Sequence, residues 1–385
     1  MWPEGPSEHN MAHHDLSKAV HYHYGAFPPE NLGYERLIDP LVEATAALAR
    51  YDQMLASMHD GEILLAPLRN QEAVVSSRME GTLSTLEEIL RIEAEEDAGD
   101  AEAFSNARSE AVETFLYARA MRRIQREMSD GQPISEFMVR SAHQILLSYG
   151  RGASLEPGAY KSEQNYIGDS RRRSISFVPI SPESLPAGMQ SLIAFMHDDP
   201  RNSLLKTALA HVEFEALHPF KDGNGRIGRM LITLMLWDYR LIRAPHFYVS
   251  AAFEDMRDEY VERMRRVSSH GEWTEWCMFF LSALGEQARR NINTMSRIFA
   301  LHEEMKGRFR DQLNSRWAMD AVDFMFTNPT FRNNRFTASS GIPPHVAMDI
   351  TRKLRDAGLL VQVAPGAGRR PAMYAFQPLI DIVRE

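Results

Sequence analysis

The feature that most constrains how this 385-residue chain folds is the stretch HPFKDGNGRIGR at residues 218–229. A helical pattern leads into it, but Pro219 lacks a backbone N–H and disfavours helical geometry at His218, so the incoming helix must end there. Beyond the stretch, apolar residues recur at helical spacing over residues 227–235, which predicts a buried helix that begins near Gly225. The stretch therefore predicts two helices joined at a sharp corner.

The corner has the residue types of an anion site. Residues 222–225 feed a helix N-terminus, where unpaired N–H groups and the positive end of the helix dipole attract anions. Gly223 and Gly225 allow the backbone to approach an anion closely. Arg226 and Arg229 are three residues apart and share one helix face. The composition of the corner predicts that it handles phosphate.

The stretch resembles the signature of the Fic family, His-Pro-Phe-x-(Asp/Glu)-Gly-Asn-Gly-Arg-x-x-Arg, and every fixed position is present. The resemblance implies transfer of a nucleoside monophosphate, usually AMP from ATP, to a Ser, Thr or Tyr hydroxyl of a target protein. Family members can also use other nucleotides, phosphorylate, transfer phosphocholine or remove AMP. The alternative interpretation is a pair of helices whose polar loop is merely solvated.

The resemblance also implies a role for each residue of the signature. His218 would take the proton from the target hydroxyl, and Asp222 would hold Mg²⁺. Tyr260 lies in a stretch similar to the family's adenine pocket, where it could stack on the base or belong to the core. The positions that the resemblance assigns to ATP and phosphate binding are Gly223, Asn224, Gly225, Arg226, Arg229 and Tyr260.

A second short motif lies far upstream, at the end of a helix predicted over residues 70–80. Ser76 and Glu80 are four residues apart and share a face, and Gly81 then ends the helix. A carboxylate at a helix C-terminus faces the negative end of the dipole and needs a cation. The motif resembles the Fic inhibitory pattern (Ser/Thr)-x-x-x-Glu-(Gly/Asn), which implies that Glu80 pairs with Arg229 and blocks the γ-phosphate. The alternative is a surface glutamate.

Residues 160–180 differ from the rest because β-branched and polar residues alternate there, which predicts a two-stranded hairpin. The hairpin resembles the Fic flap, in which Tyr166, Ile167 and Gly168 would bind an extended segment of the target by strand addition. Its tip carries Arg171–Arg173. These arginines could be a soluble loop tip or could attract phosphate or acidic targets, and both interpretations stay open.

Helical periodicity covers most of the remaining chain. Ser84 and Glu87 predict a capping box at the start of one of these helices. The predicted helices are 38–57, 70–80, 103–128, 134–148, 182–196, 201–217, 243–254, 255–268 and 272–312. The fold class that follows is all-α: a Fic-type helical core with a short β-hairpin flap, plus a C-terminal winged-helix domain.

Residues 315–385 predict a helix-turn-helix followed by two strands, at 359–363 and 373–376, which resembles a winged helix. Nine basic and six acidic residues give this segment a net charge of about +3, which is modest for DNA binding. A protein-interaction role is therefore favoured. The alternative function is a DNA-binding regulator that uses the Fic core as a nucleotide sensor.

The domain boundaries follow from these segments. A histidine-rich N-terminal arm shows no metal-ligand spacing and is predicted to be flexible. The predicted parts are a flexible arm (1–30), an N-terminal helical region with the inhibitory helix (31–130), a Fido catalytic core (131–287), a connecting helix (288–314) and a winged-helix domain (315–385).

Composition limits the compartment and the partners. The formal net charge of −9 argues against whole-chain nucleic-acid binding, and 44% hydrophobic with 25% charged residues is ordinary for a soluble protein. Cys277 is the single cysteine, and no apolar run is long enough for a membrane span, so we expect a cytoplasmic protein. A target protein with a hydroxyl side chain is the expected partner. Self-modification, a homodimer and the identity of the target stay open.

Overall fold

The computed structural model describes residues 16–57, 61–97, 103–169, 174–367 and 370–384. Its helices are α1 (Tyr34–Ser57), α2 (Gly61–Met79), α3 (Leu86–Asp97), α4 (Ser109–Ser129), α5 (Glu136–Leu146), α6 (Leu185–Asp198), α7 (Ser203–Leu217), α8 (Asn224–Asp238), α9 (Ser250–Asp255), α10 (Arg257–His270), α11 (Trp273–Leu313), α12 (Ala318–Thr327), α13 (Asn333–Ser339), α14 (Pro344–Asp356) and α15 (Gln377–Arg384). Its strands are β1 (Val20–His21), β2 (Ile167–Asp169), β3 (Ser174–Val178), β4 (Thr330–Arg332), β5 (Val361–Ala364) and β6 (Met373–Ala375). Within these ranges, no helix has the length and apolarity needed to cross a bilayer.

The chain divides into two compact units that alternate along the sequence. The first unit contains Met1–Asp52, Val75–Thr82 and Leu116–Arg289. The second contains Gln53–Val74, Leu83–Phe115 and Arg290–Glu385. The first unit therefore holds both the signature and the short segment around Glu80.

The helices on either side of the signature lie at the centre of the first unit. Helices α7 and α8 pack against each other, and α6 packs on α7. Every residue of α7 after its first is buried, and so is α8 from Asn224 to Leu236. A helix that is buried on all faces is a central element rather than a surface one. The predicted arrangement of helix, corner and buried helix is confirmed.

The predicted hairpin is confirmed as the β2–β3 pair of a three-stranded sheet with the order β1-β3-β2. Strand β1 adds in parallel to β3, which the sequence did not predict. At Gly168 the two hairpin strands approach so closely that a Cβ would lie 2.1 Å from the carbonyl oxygen of Ser174, so only glycine fits. Strand β2 is left at the edge of the sheet.

The second half of the predicted flexible arm belongs to the core. Besides forming β1, it buries Tyr22 and His23 to 9% exposure each. The Tyr22 hydroxyl donates to Oε1 of Glu213 (2.6 Å), and Nε2 of His23 lies 2.8 Å from Oε2 of the same carboxylate. One buried carboxylate therefore anchors this segment, and the prediction of a flexible arm was wrong for it. Of the arm's other histidines, His21 lies in β1, and His9, His13 and His14 lie outside the described residues.

The second unit contains an antiparallel sheet of order β4-β6-β5 together with α12 to α15. Strands β5 and β6 were predicted, but β4 was missed, because its three residues are too few to show an alternating pattern. Within this unit, Nη2 of Arg332 in β4 donates to Oε1 of Glu95 in α3 (3.1 Å), and both side chains are almost fully buried. The C-terminal sheet is thus tied to α3.

Two local predictions need correction. The predicted helix 243–254 begins only at Ser250. The predicted capping box at Ser84 lies one residue further on: the Glu88 N–H donates to Oγ1 of Thr85 (3.2 Å) and the Thr85 N–H donates to Oε2 of Glu88 (2.9 Å). The Ser84 hydroxyl instead donates to Oγ1 of Thr114 (2.8 Å). Ser84 and Thr85 are adjacent hydroxyl residues, and either could cap the helix. The contact of Ser84 with Thr114 leaves Thr85 as the capping residue.

Candidate active site

His218 occupies the corner between α7 and α8. Its backbone lies in the left-handed region (φ 46°, ψ 63°) rather than the extended geometry that a following proline favours. Nδ1 lies 3.3 Å from the carbonyl oxygen of Glu215, so Nδ1 carries the hydrogen and Nε2 is the acceptor. Burial, assisted by the charge of Lys161, lowers the pKa of His218 to about 3. The imidazole is therefore neutral near pH 7 and can accept a proton at Nε2.

The loop after His218 is held by Asn224. Its Oδ1 accepts from the backbone N–H of Phe220 and its Nδ2 donates to the carbonyl oxygen of Phe220, both at 2.8 Å. Asn224 was predicted to orient the phosphates. Both ends of its amide bind the backbone of Phe220, so its side chain shapes the loop that would hold them. Gly223, with φ 77°, makes the turn into α8.

Phe220 points inward, as expected, and stacks on His143 of α5 with ring centroids 3.7 Å apart and planes at 7°. Nδ1 of His143 accepts from the Gly158 N–H (2.8 Å), so Nε2 donates to the carbonyl oxygen of Asp222 (2.9 Å). Burial lowers the pKa of His143 to about 4. Sequence reasoning missed His143, because a histidine that binds a backbone carbonyl belongs to no motif.

Arg226 lies one turn into α8 and is nearly buried, with 3% of its side chain exposed. Nη2 donates to Oδ1 of Asp222 (3.2 Å), whereas Nε and Nη1 have no hydrogen-bond partner among the described residues. A buried guanidinium with unused donors beside a helix N-terminus is suited to an anion. The first predicted arginine is therefore in place to bind phosphate.

The Asp222 carboxylate stays accessible, with 16% of the side chain exposed. The described residues contain no group of three His, Cys, Asp or Glu side chains that could hold a metal alone. Magnesium usually binds one or two carboxylates together with substrate phosphates and water. Asp222 fits that pattern, since an ion there would take its remaining ligands from a bound nucleotide.

Arg229 is fully buried and binds the segment around Glu80. Nε donates to Oγ of Ser76 and Nη2 donates to the Ser76 carbonyl oxygen, both at 2.9 Å. Nη2 also donates to Oε1 of Glu80, and the two side chains are 0% and 2% exposed. Burial acts to lower the pKa of Arg229, but Glu80, Tyr260 and Glu215 together raise it above its usual value. The contact expected between Glu80 and Arg229 is present.

The Glu80 carboxylate lies on the first turn of α8. A Cβ added to Gly225 would come within 2.3 Å of Oε1 of Glu80, so this glycine makes room for the carboxylate. Glu80 directly follows the last residue of α2, and Gly81 then adopts φ 83°. The carboxylate thus lies where the helix dipole attracts an anion.

Tyr260 does not occupy a nucleotide-binding position. It is 1% exposed, its ring stacks on Phe253 at 4.6 Å, and its hydroxyl lies 2.8 Å from Nε2 of His211. The expected stacking on adenine is therefore wrong in this structure, and Tyr260 belongs to the aromatic core. His211 is structural, as the sequence indicated, and its Nδ1 lies 3.2 Å from the carbonyl oxygen of Gly228.

The three predicted flap residues differ in whether a target segment can contact their side chains. Ile167 is buried opposite Phe177, so its side chain belongs to the core and only its backbone can meet a target. Tyr166 is half-buried, and Gly168 provides the close strand approach. The Arg171–Arg173 tip lies outside the described residues. The open backbone edge of β2 is the part of the flap suited to strand addition.

Fold and site together define a helical protein with an anion site at a helix N-terminus and a neutral histidine beside it. Residues 133–236 match the model of the Fic/DOC family, and residues 38–124 match the model of the Fic/DOC family N-terminal domain. The chain thus carries a Fic/DOC family domain, preceded by the N-terminal domain of the same family.

Several relatives are named as adenylyltransferases. The chain is 32% identical over 126 residues to "Protein adenylyltransferase Fic" of Nematostella vectensis, covering 32% of this chain and 26% of that protein. It is 27% identical over 116 residues to a "Probable protein adenylyltransferase" of Aquifex aeolicus, covering 30% and 32%. Over 90 residues it is 29% identical to "Protein adenylyltransferase fic-1" of Caenorhabditis elegans, covering 23% and 16%. The chain thus matches less than a third of each relative's length.

Two solved structures share the fold. A Fic family protein from Desulfovibrio desulfuricans G20 superposes with a TM-score of 0.56 at 18% identity, covering 91% of this chain and 98% of that one. A Fic-domain signaling protein from Bacteroides thetaiotaomicron gives 0.52 at 19% identity, covering 66% and 96%. At this identity the likeness shows the fold alone.

Proposed function

We propose that this protein is a protein adenylyltransferase that moves AMP from ATP to a Ser, Thr or Tyr hydroxyl of a target protein. One observation carries the proposal: the neutral imidazole of His218 lies at the corner that opens onto the N-terminus of α8, where Arg226 has unused donors and Arg229 is buried. The adenylyltransferase names of the relatives favour AMP over the other groups that the fold can transfer.

The chemistry follows from the assigned tautomer. The target oxygen attacks the α-phosphorus and forms a P–O bond, the bond to the bridging oxygen of the β-phosphate breaks, and pyrophosphate leaves. The hydroxyl proton goes to Nε2 of His218, because Nδ1 already donates to the Glu215 carbonyl. Arg226, Arg229 and the first N–H groups of α8 would neutralise the phosphate charge. A Mg²⁺ ion bound with the nucleotide would be held by Asp222 and would add to that neutralisation.

We also propose that Glu80 inhibits the enzyme. Its carboxylate lies on the first turn of α8 and binds Arg229, so it competes with the nucleotide for the same guanidinium and the same N–H groups. Two anions cannot both occupy that position without strong repulsion in a buried site. Displacement of Glu80 would free Arg229 for the γ-phosphate.

The test uses the full-length Glu80→Gly protein and ATP labelled at either the α- or the γ-phosphate, with cell lysate as the source of target. Label from the α-phosphate alone on protein supports AMP transfer. Label from the γ-phosphate alone would show phosphorylation instead, and no label from either would contradict the proposal. The Asp258→Asn variant, changed at an acid in the first turn of α10 outside the site, is the control and should behave as its parent.

For the C-terminal segment we propose a winged-helix arrangement, which the order α12, β4, α13, α14, β5, β6 supports. The cations of α14 already pair within the helix: Arg352 and Lys353 contact Asp349, and Arg355 contacts Asp356. Phosphate groups would have to displace these carboxylates. The geometry therefore favours protein contacts over the DNA-binding alternative.

A further inference from the structure

The corner that carries His218 is held by two residues outside the signature, Lys161 and Asn165. The Lys161 backbone N–H donates to the carbonyl oxygen of Pro219 (2.8 Å), and its Nζ donates to that of Leu217 (3.1 Å). Asn165 supplies the donors for the remaining carbonyls, at 3.0 Å for His218 and 3.1 Å for Phe220. Four consecutive carbonyl oxygens, 217–220, therefore receive donors from two residues that are four positions apart.

Lys161 and Asn165 are also hydrogen-bonded to each other. Nζ of Lys161 donates to Oδ1 of Asn165 at 2.7 Å, which leaves Nδ2 of Asn165 facing the carbonyls. Lys161 is 3% exposed, so its ammonium group has little water and depends on these oxygens. The orientation of the Asn165 amide thus depends on the lysine, and the two residues act as one unit.

The corner needs such support for two reasons. His218 is a non-glycine residue in the left-handed region, a conformation disfavoured by its Cβ. The carbonyl of Leu217 is one of the last of α7 and has no partner within the helix, and a cation there meets the negative end of the dipole. Lys161 and Asn165 satisfy these groups and stabilise the strained turn.

The same unit acts on the imidazole electrostatically. The ring of His218 is oriented through Nδ1 to the Glu215 carbonyl, so its position depends on the backbone that Lys161 and Asn165 hold. The positive charge of Lys161 also disfavours a second positive charge on the ring, after burial the next largest cause of its low pKa. Burial lowers the pKa of Lys161 itself to about 7.

We propose that Lys161 and Asn165 are positioning residues for His218: together they fix the backbone of the corner so that Nε2 meets the target hydroxyl. This rests on the proposed function, and neither residue belongs to the sequence signature. Both act through His218 and not through the nucleotide, because the hydrogen bonds described here run from these side chains to the backbone of residues 217–220 and between the two side chains. Their loss should therefore slow transfer without weakening nucleotide binding.

The test compares Asn165→Ala, Lys161→Met and Lys161→Arg in the Glu80→Gly background. Transfer is measured at saturating ATP, and ATP binding is measured separately by calorimetry. We expect Asn165→Ala and Lys161→Met to lower the transfer rate at least tenfold while the Kd for ATP changes less than threefold. Lys161→Arg keeps a donor and a charge and should recover most of the rate. Asn165 is only half-buried, so its variant stays informative if Lys161→Met fails to fold.

Two matched controls separate positioning from general stability. Lys206 is another buried lysine whose Nζ donates to a backbone carbonyl, that of Met196 at 3.1 Å. Gln125 is another amide that donates to a backbone carbonyl, that of Pro245 at 2.9 Å. Lys206→Met and Gln125→Ala should lower the melting temperature comparably and leave the transfer rate within twofold of the parent. Equal losses of rate in variants and controls would overturn the proposal.

A readout without turnover completes the test. With ¹³C-labelled histidine, the His218 resonance, assigned by its absence in His218→Ala, should titrate at a higher pH in Lys161→Met than in the parent. An unchanged titration together with an unchanged rate would overturn the proposal. If the Glu80→Gly parent transfers no AMP, the proposed function fails, and the His218 titration still decides whether Lys161 and Asn165 act on the imidazole.

Discussion

The corner around His218 and the segment around Glu80 contribute to the same site but are held in opposite ways. At the corner, Lys161 and Asn165 donate to the consecutive carbonyl oxygens of residues 217–220, and His143 donates to that of Asp222. The Glu80 segment inserts one carboxylate, and Oε2 of Glu80 and Nη1 of Arg229 have no hydrogen-bond partner among the described residues. A buried pair with unused donors and acceptors is held by fewer bonds than a fully bonded group, and an incoming phosphate would replace the charge that Arg229 loses with Glu80. The difference supports the proposal that a rigid corner carries the proton acceptor and that Glu80 is a displaceable inhibitor.

The largest expected effect lies at the corner. His218→Ala should lower AMP transfer at least about 100-fold, since a positioned general base contributes about 10²–10⁴-fold. ATP binding should persist, because the phosphate-binding groups lie on α8. Label transfer measures the rate of AMP transfer and calorimetry measures ATP binding, both in the Glu80→Gly background. His270→Ala, at an exposed histidine ending α10, is the control. Undiminished transfer in His218→Ala would contradict the proposed role of His218 as the proton acceptor.

The corner also predicts acid sensitivity. Burial lowers the pKa of His143 to about 4 and of His211 and His218 to about 3, so the unfolded chain binds more protons below pH 6.5. These histidines therefore stabilise the fold above pH 6.5, and their contribution is lost as pH falls towards their folded pKa values. Glu215 has the opposite sign: burial raises its pKa to about 7, so its contribution is complete below about pH 4.5 and is lost as pH rises through 7.

Between pH 7 and 5.5, the stability lost at the three histidines exceeds the stability gained at Glu215. We expect the free energy of unfolding to fall by about 2 kcal/mol over this range, the balance of these four shifts, and the lowered pKa of Lys161 adds a smaller change in the same direction. Urea titrations at several pH values measure it. His143→Gln should flatten the dependence, because it removes one of the three groups. Stability that rises as pH falls would show that the histidines are not buried as described.

Substitution of Glu80 should change the rate of AMP transfer less than substitution of His218. Glu80→Gly should raise AMP transfer at least about tenfold, since a hydrogen bond to a charged group contributes about 1.5–3 kcal/mol and about 1.4 kcal/mol is a factor of ten. Glu80→Gln keeps the volume and loses the charge, so it should give a smaller increase. ATP should raise the melting temperature of Glu80→Gly more than that of the parent. Equal transfer by Glu80→Gly and the parent would remove Glu80 as an inhibitor.

The smallest effect compares two adjacent serines. Ser76→Ala removes one hydrogen bond to Arg229, worth about 1 kcal/mol, and should raise AMP transfer about two- to fivefold. Ser77 is equally buried, but its Oγ has no partner in the described structure, so Ser77→Ala should leave transfer unchanged. Label-transfer assays of the two variants, run in parallel with the parent, measure this difference. A larger increase for Ser77→Ala would show that packing, and not the contact with Arg229, controls release.

Sequence reasoning succeeded where local rules act. Pro219 and the glycines of the loop specify a helix, a corner and a second helix, and alternation specified the β2–β3 hairpin. It failed for Tyr260, whose residue type suits a nucleotide but whose side chain belongs to the core, and it did not predict that the Asn224 amide binds the backbone of its own loop. Aromatic and amide side chains fit either environment, and only packing distinguishes them.

The sequence by itself determined the residue types of the signature, the end of α2 shortly before Gly81 and the spacing that puts Ser76 and Glu80 on one face. Only the tertiary structure decided that His143, Lys161 and Asn165 support the corner and that Tyr22 and His23 share Glu213. The physical reason is the range of the interactions. Helix ends and turns depend on neighbours in sequence, whereas a donor to a distant backbone carbonyl is specified only when the whole fold brings it there, and it requires no particular sequence pattern.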